Sequence, residues 1–353
     1  MKSEFVKGRQ IIKTHSCVDI PAFIKKTFAA CILTGLFCFT NAQAIDGFSA
    51  TGQFNEQEMT IDHQWKNVII DINAPMQFHP DGKAYLIFYT LPNGNTIAWT
   101  KGKQIGPGED WHFDIQHIAA QTRFIRNTDK KNNYIIAYRA AAQKSWPTWK
   151  RTTPDSLHII KNIVDSVTNI FTSLHPFVIL SSHSGGGSFV FGFIDAVREI
   201  PGNIERIAFI DSDYGYVDSM HQTKLSNCLK HKNSKLIVLA YNDSVVIYNG
   251  KPLVSARGGT WYRSRLMQQN LAGRFHFTTI TDTAFIVHKA LHERITMIFK
   301  ENPTGIIYHT EQVARNGLIL AIFSTTKFDH KNILLILETR FIKNTSVNKV
   351  RLI

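Results

Sequence analysis

The stretch Phe177-Val-Ile-Leu-Ser-Ser-His-Ser-Gly-Gly-Gly-Ser-Phe189 decides the fold prediction. Its first half is a short apolar run typical of a buried strand, and its second half is a glycine-rich turn that leads into a helical pattern. A strand, a tight turn and a helix in this order hold a serine hydroxyl above the end of a sheet. Ser184 is therefore the candidate nucleophile, and the N–H of Gly185 is the candidate first donor to an oxyanion.

Strand and helix patterns alternate on both sides of this stretch. Nearly continuous apolar strands between helices are typical of a parallel sheet that is covered on both faces. We therefore predict an α/β fold with a mostly parallel, doubly wound sheet and helices on both faces. The predicted strands are 85–90, 134–138, 177–180, 206–210, 236–241 and 275–280, and the predicted helices are 114–126, 155–171, 189–200, 221–231, 261–271 and 284–300.

The glycine-rich turn resembles the nucleophile elbow of the α/β-hydrolase superfamily. The G-x-S-x-G pattern of that superfamily appears here as Ser182-His183-Ser184-Gly185-Gly186, with a serine in place of the first glycine. Serine is small enough to allow the same close approach of strand and helix. The resemblance implies an acyl-enzyme on Ser184 and a catalytic triad in the chain order serine, acid, histidine.

The resemblance also places a second oxyanion donor in the loop after the strand at 85–90. Pro92 has no N–H, so the donor must come from a neighbouring residue of that loop. Leu91 and Asn93 are the leading candidates, and Gly94 is a further one.

Two aspartates compete for the role of the triad acid. Asp243 follows the strand at 236–241, where the superfamily's chain order expects the acid, and Asp211 follows the preceding strand at 206–210. Strand order favours Asp243 and leaves Asp211 as the alternative.

His288, near the start of the predicted helix 284–300, is the predicted base. His292 shares its helix face at the i, i+4 spacing of some zinc sites. However, Lys289 stands where such a site needs a glutamate, and no cluster of cysteines or acids completes it. We therefore predict no metal and no cofactor.

The N-terminal 44 residues have the order of a secretory signal. A basic segment ending in Lys25-Lys26 precedes the apolar run 27–40, and Asn41-Ala42-Gln43-Ala44 then provides small residues at the positions that a signal peptidase reads. The apolar run is about two thirds as long as a membrane-spanning helix. We predict a signal peptide over 1–44, export to the periplasm or the medium, and no stable membrane span after cleavage.

The remaining 45–312 are predicted to form one hydrolase-like domain, and 313–353 a C-terminal segment whose structure the sequence does not predict. The leading hypothesis is an exported serine hydrolase that acts on a small-molecule or peptide acyl substrate, with either an ester or an amide bond. The alternative is a noncatalytic binding protein of the same fold, with an anionic surface or ligand as its partner. The net charge of +13 suits that alternative but names no partner, and no nucleic-acid-binding motif is present.

Overall fold

The structure is a computed structural model that describes residues 45–103, 107–108, 116–328, 342–343 and 351–352. The predicted signal peptide at 1–44 lies outside the described residues, as does most of the chain beyond 328. Within these ranges, no helix combines the length and the apolar character needed to cross a bilayer.

Strands supply the framework of the described chain. They are β1 (Ser49–Ala50), β2 (Glu56–Trp65), β3 (Val68–Pro75), β4 (Ala84–Thr90), β5 (Asn133–Ala141), β6 (Phe177–His183), β7 (Ile204–Ile210), β8 (Lys235–Tyr241), β9 (Ile247–Tyr248), β10 (Lys251–Pro252), β11 (Phe277–Thr281), β12 (Phe285–Ala290), β13 (Ile295–Lys300), β14 (Ile342–Lys343) and β15 (Arg351–Leu352).

Eleven of these strands form one sheet in the order β1-β2-β3-β5-β4-β6-β7-β8-β13-β12-β11. The central run from β5 to β13 is parallel throughout, and the strands outside it pair antiparallel. The short pairs β9–β10 and β14–β15 are separate ribbons. The predicted mostly parallel sheet is therefore confirmed, and the carboxyl ends of its central strands meet at one edge.

Helices cover both faces of this sheet. They are α1 (Ile97–Lys101), α2 (Ile118–Thr128), α3 (Trp146–Thr152), α4 (Ser156–Ile170), α5 (Gly187–Ala196), α6 (Asp218–Cys228), α7 (Thr260–Ala272), α8 (Glu311–Ala314) and α9 (Gly317–Phe323). Side chains of α3 to α7 contribute to one apolar core, and side chains of α2, α8 and α9 contribute to a second.

Strand β4 shows how the sequence divides between the two cores. Leu86 and Phe88 belong to the first core, whereas Ile87 and Tyr89 belong to the second. All four side chains are fully buried. Because successive side chains of a strand point to opposite faces, a continuous apolar run is what a doubly covered sheet requires.

The predicted helix at 284–300 is wrong. The structure forms the antiparallel strands β12 and β13 there, and the turn between them has left-handed backbone at Leu291, His292 and Glu293. The segment alternates buried and less buried positions in β12, as an outer strand does. The last parallel strand is consequently β13 rather than the segment at 275–280, which forms the edge strand β11.

The segment after residue 312 continues into the second core. Val313 of α8 and Leu318 of α9 are fully buried beside Ile237 and Leu239 of β8. Buried Arg206 donates hydrogen bonds to the carbonyl oxygens of α9. Residues 313–323 thus pack on the same sheet as the strands before them.

Candidate active site

Ser184 lies where β6 ends, in a tight turn that leads into α5. Its φ angle is +53°, a left-handed conformation that costs energy for a residue with a side chain. The N–H of Ser184 donates to the carbonyl oxygen of Asp211 at 3.2 Å, which joins the ends of β6 and β7. A serine held in this way presents its hydroxyl at the carboxyl edge of the sheet.

The glycines after Ser184 allow three backbone segments to meet. A Cβ atom on Gly186 would lie 2.4 Å from the carbonyl oxygen of Thr90, and one on Gly187 would lie 1.7 Å from that of Ser212. Real side chains do not fit at such distances from backbone atoms. The glycine run therefore lets α5 start against the ends of β4 and β7.

Two neighbouring serines, Ser181 and Ser182, are buried. Ser182 is fully buried, and its hydroxyl is 2.8 Å from that of Ser212. Ser181 is fully buried on β6, whereas Ser184 is partly exposed. Among these three serines, Ser184 has the accessible hydroxyl.

His309 reaches this edge of the sheet from another part of the chain. It lies in the loop after β13, and its Nδ1 atom is in hydrogen-bond contact with Oδ2 of Asp211. The Asp211 side chain is fully buried, whereas a quarter of the His309 side chain is exposed. A buried carboxylate that accepts from Nδ1–H fixes the tautomer that leaves Nε2 unprotonated.

Thr260, the first residue of α7, connects two carboxylates. Its hydroxyl donates to Oδ1 of Asp211, and its N–H donates to Oδ2 of Asp243 at 2.8 Å. The favoured acid, Asp243, therefore lies next to the alternative, Asp211, with Thr260 between them. Burial and the Asp211 carboxylate raise the pKa of Asp243 to about 6.

Asp213 is a third buried carboxyl group in this region. Its Oδ2 accepts from the Ser264 hydroxyl at 2.7 Å, while its Oδ1 has no hydrogen-bond partner among the residues that the structure describes. Burial, reinforced by Asp211, raises the pKa of Asp213 to about 8. Asp213 is thus neutral near pH 7, which limits the negative charge collected beneath the site.

His183, the residue before Ser184, holds the loop that carries His309. Its Nε2 atom donates to the carbonyl oxygen of His309 at 3.0 Å, and the two rings lie 4.7 Å apart. Burial, with a contribution from His309, holds the pKa of His183 well below its usual value. His183 is consequently a neutral support and not a proton carrier.

The structure does not bring His288 to this site. His288 lies on β12, where its Nδ1 is 2.8 Å from the Thr279 hydroxyl and its ring contacts Phe299. The strand register puts it in one row with Ser182, four strand spacings away, or about 19 Å. The expectation for His288 depended on a helix that is two strands, and His309 occupies the position in its place.

The loop after β4 lies against the elbow, as expected. A Cβ atom on Gly185 would be 2.1 Å from Oδ1 of Asn93, so the Asn93 side-chain amide covers Gly185. The N–H groups of Leu91 and Gly94 are already used, by the carbonyl oxygens of Arg139 and Lys144 respectively. Leu91 therefore cannot supply the second oxyanion donor, and Asn93 is the candidate that remains.

The acidic and histidine side chains of the described ranges do not form a metal site. No group of three or more His, Cys, Asp and Glu side chains there has the arrangement to hold a metal ion.

Comparison with known proteins gives matches among solved structures alone. No family model and no curated protein matches the chain. A poly(3-hydroxybutyrate) depolymerase from Bordetella parapertussis is similar over 76% of this chain and 88% of its own, with 11% identity and a TM-score of 0.42. A thermostable esterase is similar over 77% of this chain and 60% of its own, with 12% identity and a TM-score of 0.42.

A cold-adapted esterase from an Arctic intertidal metagenomic library is also similar, over 78% of this chain and 97% of its own, with 9% identity and a TM-score of 0.42. Identities and TM-scores this low do not indicate which reaction the chain catalyses. The α/β-hydrolase fold of the chain is assigned from its own sheet order, its parallel centre and its strand–turn–helix elbow.

Proposed function

We propose that the chain is a serine hydrolase that cleaves an ester or amide through an acyl-enzyme on Ser184. The observation that carries the proposal is the chain of contacts around the elbow. Ser184 has a left-handed backbone and donates its N–H to Asp211, whose carboxylate in turn holds His309. One nucleophile, one histidine and one buried acid thus meet at one edge of the sheet.

In the first step, the Ser184 hydroxyl attacks the substrate carbonyl while Nε2 of His309 accepts its proton. Asp211 keeps Nδ1 of His309 protonated and stabilises the imidazolium that forms. His309 then returns the proton to the leaving alcohol or amine. Water repeats the sequence on the acyl-enzyme and releases the acid.

The negative charge of the tetrahedral intermediate needs two donors. The N–H of Gly185 is the first, because the opening residues of a helix have no intrahelical partner for their N–H groups. The Asn93 side-chain amide, which lies over Gly185, is the second. An amide from a loop side chain is a known class of oxyanion donor.

Covalent labelling tests this proposal directly. A fluorophosphonate probe should add one adduct to the wild-type protein, mapped to Ser184 by mass spectrometry. Ser184→Ala should take up no probe and should keep a melting temperature close to that of the wild-type protein, because it removes one partly exposed hydroxyl and leaves the backbone conformation unchanged. Ser188→Ala is the matched control, since Ser188 lies in the first turn of α5, and it should be labelled at the wild-type rate.

An adduct on a different serine, or full labelling of Ser184→Ala, would contradict the assignment. Absence of labelling in the folded wild-type protein would favour the noncatalytic binding protein instead.

Export is the second part of the proposal, and it is supported by the basic, apolar and small-residue order over 1–44. N-terminal sequencing of secreted protein should begin at Ile45. A mature chain that keeps Lys25-Lys26 would contradict cleavage at this site.

A further inference from the structure

Large exposed hydrophobic side chains are concentrated near His309. Six of the eleven that are exposed in the described chain fall in two short segments at 245–253 and 306–307. We name these six the apolar rim: Val245, Ile247, Tyr248, Leu253, Ile306 and Ile307. Isolated exposed hydrophobic residues are ordinary, but a concentration of this kind marks a binding surface.

The two segments meet in space. A Cβ atom on Gly305 would lie 3.2 Å from the carbonyl oxygen of Val245. The Asn302 side chain donates to the carbonyl oxygens of both Asn242 and Ile306, at 2.9 and 2.8 Å. The N–H of Leu253 returns to the carbonyl oxygen of Val246 at 2.9 Å and closes the β9–β10 ribbon. The apolar rim is thus one connected feature.

The apolar rim is continuous with the candidate active site. Val245 belongs to the same 3₁₀ turn as Asp243, and Ile307 precedes His309 by two residues. Both segments leave the carboxyl ends of parallel strands, β8 and β13, which are on the same edge of the sheet as Ser184. The rim follows strands two and three spacings, or about 10 to 14 Å, from β6, so a chain extending from a carbonyl at Ser184 toward β13 would run toward the rim.

The composition of the rim indicates which chemical group of a substrate it would bind. Residues 302–308 contain no Asp, Glu, Lys, Arg or His, and residues 244–259 contain no acid and two exposed basic residues, Lys251 and Arg257, which are not among the six rim side chains. Ile247, at 62% exposure, and Ile306, at 49%, offer hydrocarbon surface and no hydrogen-bonding group. Burying such surface against another hydrocarbon is favourable in proportion to the area removed from water.

We propose that the apolar rim binds the uncharged hydrocarbon chain of the substrate, so that the preferred substrates are esters with an apolar acyl chain several carbons long. This inference rests on the proposed hydrolase function and names its substrate class.

The experiment compares p-nitrophenyl acetate with p-nitrophenyl octanoate as substrates of the full chain. The variants are Ile247→Ser and Ile306→Ser, with Ile280→Ser as the matched control. Ile280 is equally exposed, at 60%, but lies on edge strand β11, five strand spacings or about 24 Å from β6.

The wild-type protein should prefer octanoate. Each rim variant should lower kcat/KM for octanoate about tenfold, mainly through KM, and leave that for acetate unchanged. The control should keep the wild-type ratio. Melting temperatures verify that all three variants are folded.

Several outcomes would overturn the proposal. An unchanged octanoate-to-acetate ratio in both rim variants would do so while the hydrolase function stands. An equal loss on both esters would show that the rim acts on His309 rather than on the substrate chain. Loss of binding to phosphatidylglycerol vesicles with an unchanged ratio would assign the rim to a membrane. Absence of turnover on either ester by the wild-type protein would instead reject the hydrolase function itself.

Discussion

The Thr260 hydroxyl donates to the Asp211 carboxylate on the side opposite to His309. Asp211 therefore has a donor on each oxygen and cannot rotate without breaking one of the two bonds. Thr260 is fully buried, and its own N–H is fixed by Asp243 at 2.8 Å. We infer that Thr260 is a positioning residue for the acid of the proposed triad.

Replacing Thr260 by valine removes the hydroxyl at nearly constant volume. We expect kcat to fall about tenfold with little change in KM, because a hydrogen bond to a charged group is lost. The Asp211 carboxylate then has one donor fewer and is less firmly oriented toward His309. Thr260→Ser keeps the hydroxyl and should restore kcat, whereas an equal loss in Thr260→Ser, or a rise in KM, would indicate structural damage alone.

Separate substitutions of the two candidate histidines test which of them, His309 or His288, is the base. His309→Asn should lower kcat by at least about 10⁴-fold, because no other group in the proposed site accepts the Ser184 proton. His288→Asn should stay within about twofold of the wild-type rate, since His288 lies four strands away. Ester turnover and the rate of probe labelling are the measurements. A large loss in His288→Asn with normal folding would reverse this assignment.

The two candidate acids give an equally clear comparison. Asp211→Asn should lower kcat about 10⁴-fold, because the amide favours the wrong tautomer of His309. Asp243→Asn should lower it about tenfold or less, since Asp243 contacts Thr260 and not the histidine. Steady-state kinetics on a soluble ester checks both. If Asp243→Asn were the more damaging change, the acid role would return to Asp243.

Asn93 is expected to act on the transition state. Asn93→Ala should lower kcat by about 10²–10³-fold and leave KM nearly constant, as loss of one oxyanion donor does elsewhere. A variant with wild-type kcat would assign the second donor to a backbone N–H of the same loop.

Asp213 makes folding stability depend on pH. Its pKa in the folded protein is about 8, above the unfolded value, so the folded state binds the extra proton between about pH 4 and 8. The stability that depends on this proton is complete below the unfolded pKa and is lost as the pH rises through 8. Asp213→Asn keeps the size of the side chain and removes the titration. Its melting temperature should exceed that of the wild-type protein at pH 8 by on the order of 3 °C, and by less at pH 5. Equal differences at both pH values would show that Asp213 is not protonated on folding.

The elbow is predictable because its signals are local. An apolar run, three glycines and the start of a helix occupy thirteen consecutive residues, and the structure has the strand, the turn and the helix in that order. The parallel sheet follows from the same kind of signal repeated along the chain. Asp211 and Asp243 each follow a strand, so the sequence could also predict that the two carboxylates lie close together.

The base was not predictable in the same way. The turn between β12 and β13 uses Leu291, His292 and Glu293 in left-handed conformations, without a glycine or asparagine to mark it. The segment 284–300 consequently has the apolar spacing of a helix. His309 lies in a loop, and the relevant signal is its place as the first histidine after the last parallel strand, which is visible once 284–300 is recognised as a hairpin. The choice between the two acids depends on contacts with His309 that join residues distant in the chain.

The bond from His183 to the backbone of His309 has a consequence for redesign of this protein. The loop has no regular structure, and the bond from His183 is one of the contacts that fix the main chain at its histidine, together with those of Asn302 to Ile306 and of Asp211 to the imidazole. The side chains at 303, 304, 306 and 307 are therefore open to exchange, since none of these contacts depends on them, whereas Gly305 has left-handed backbone and is kept. A library that randomises these four positions while keeping His183, Asn302 and Gly305 should change which substrates are accepted and leave the proposed triad in place.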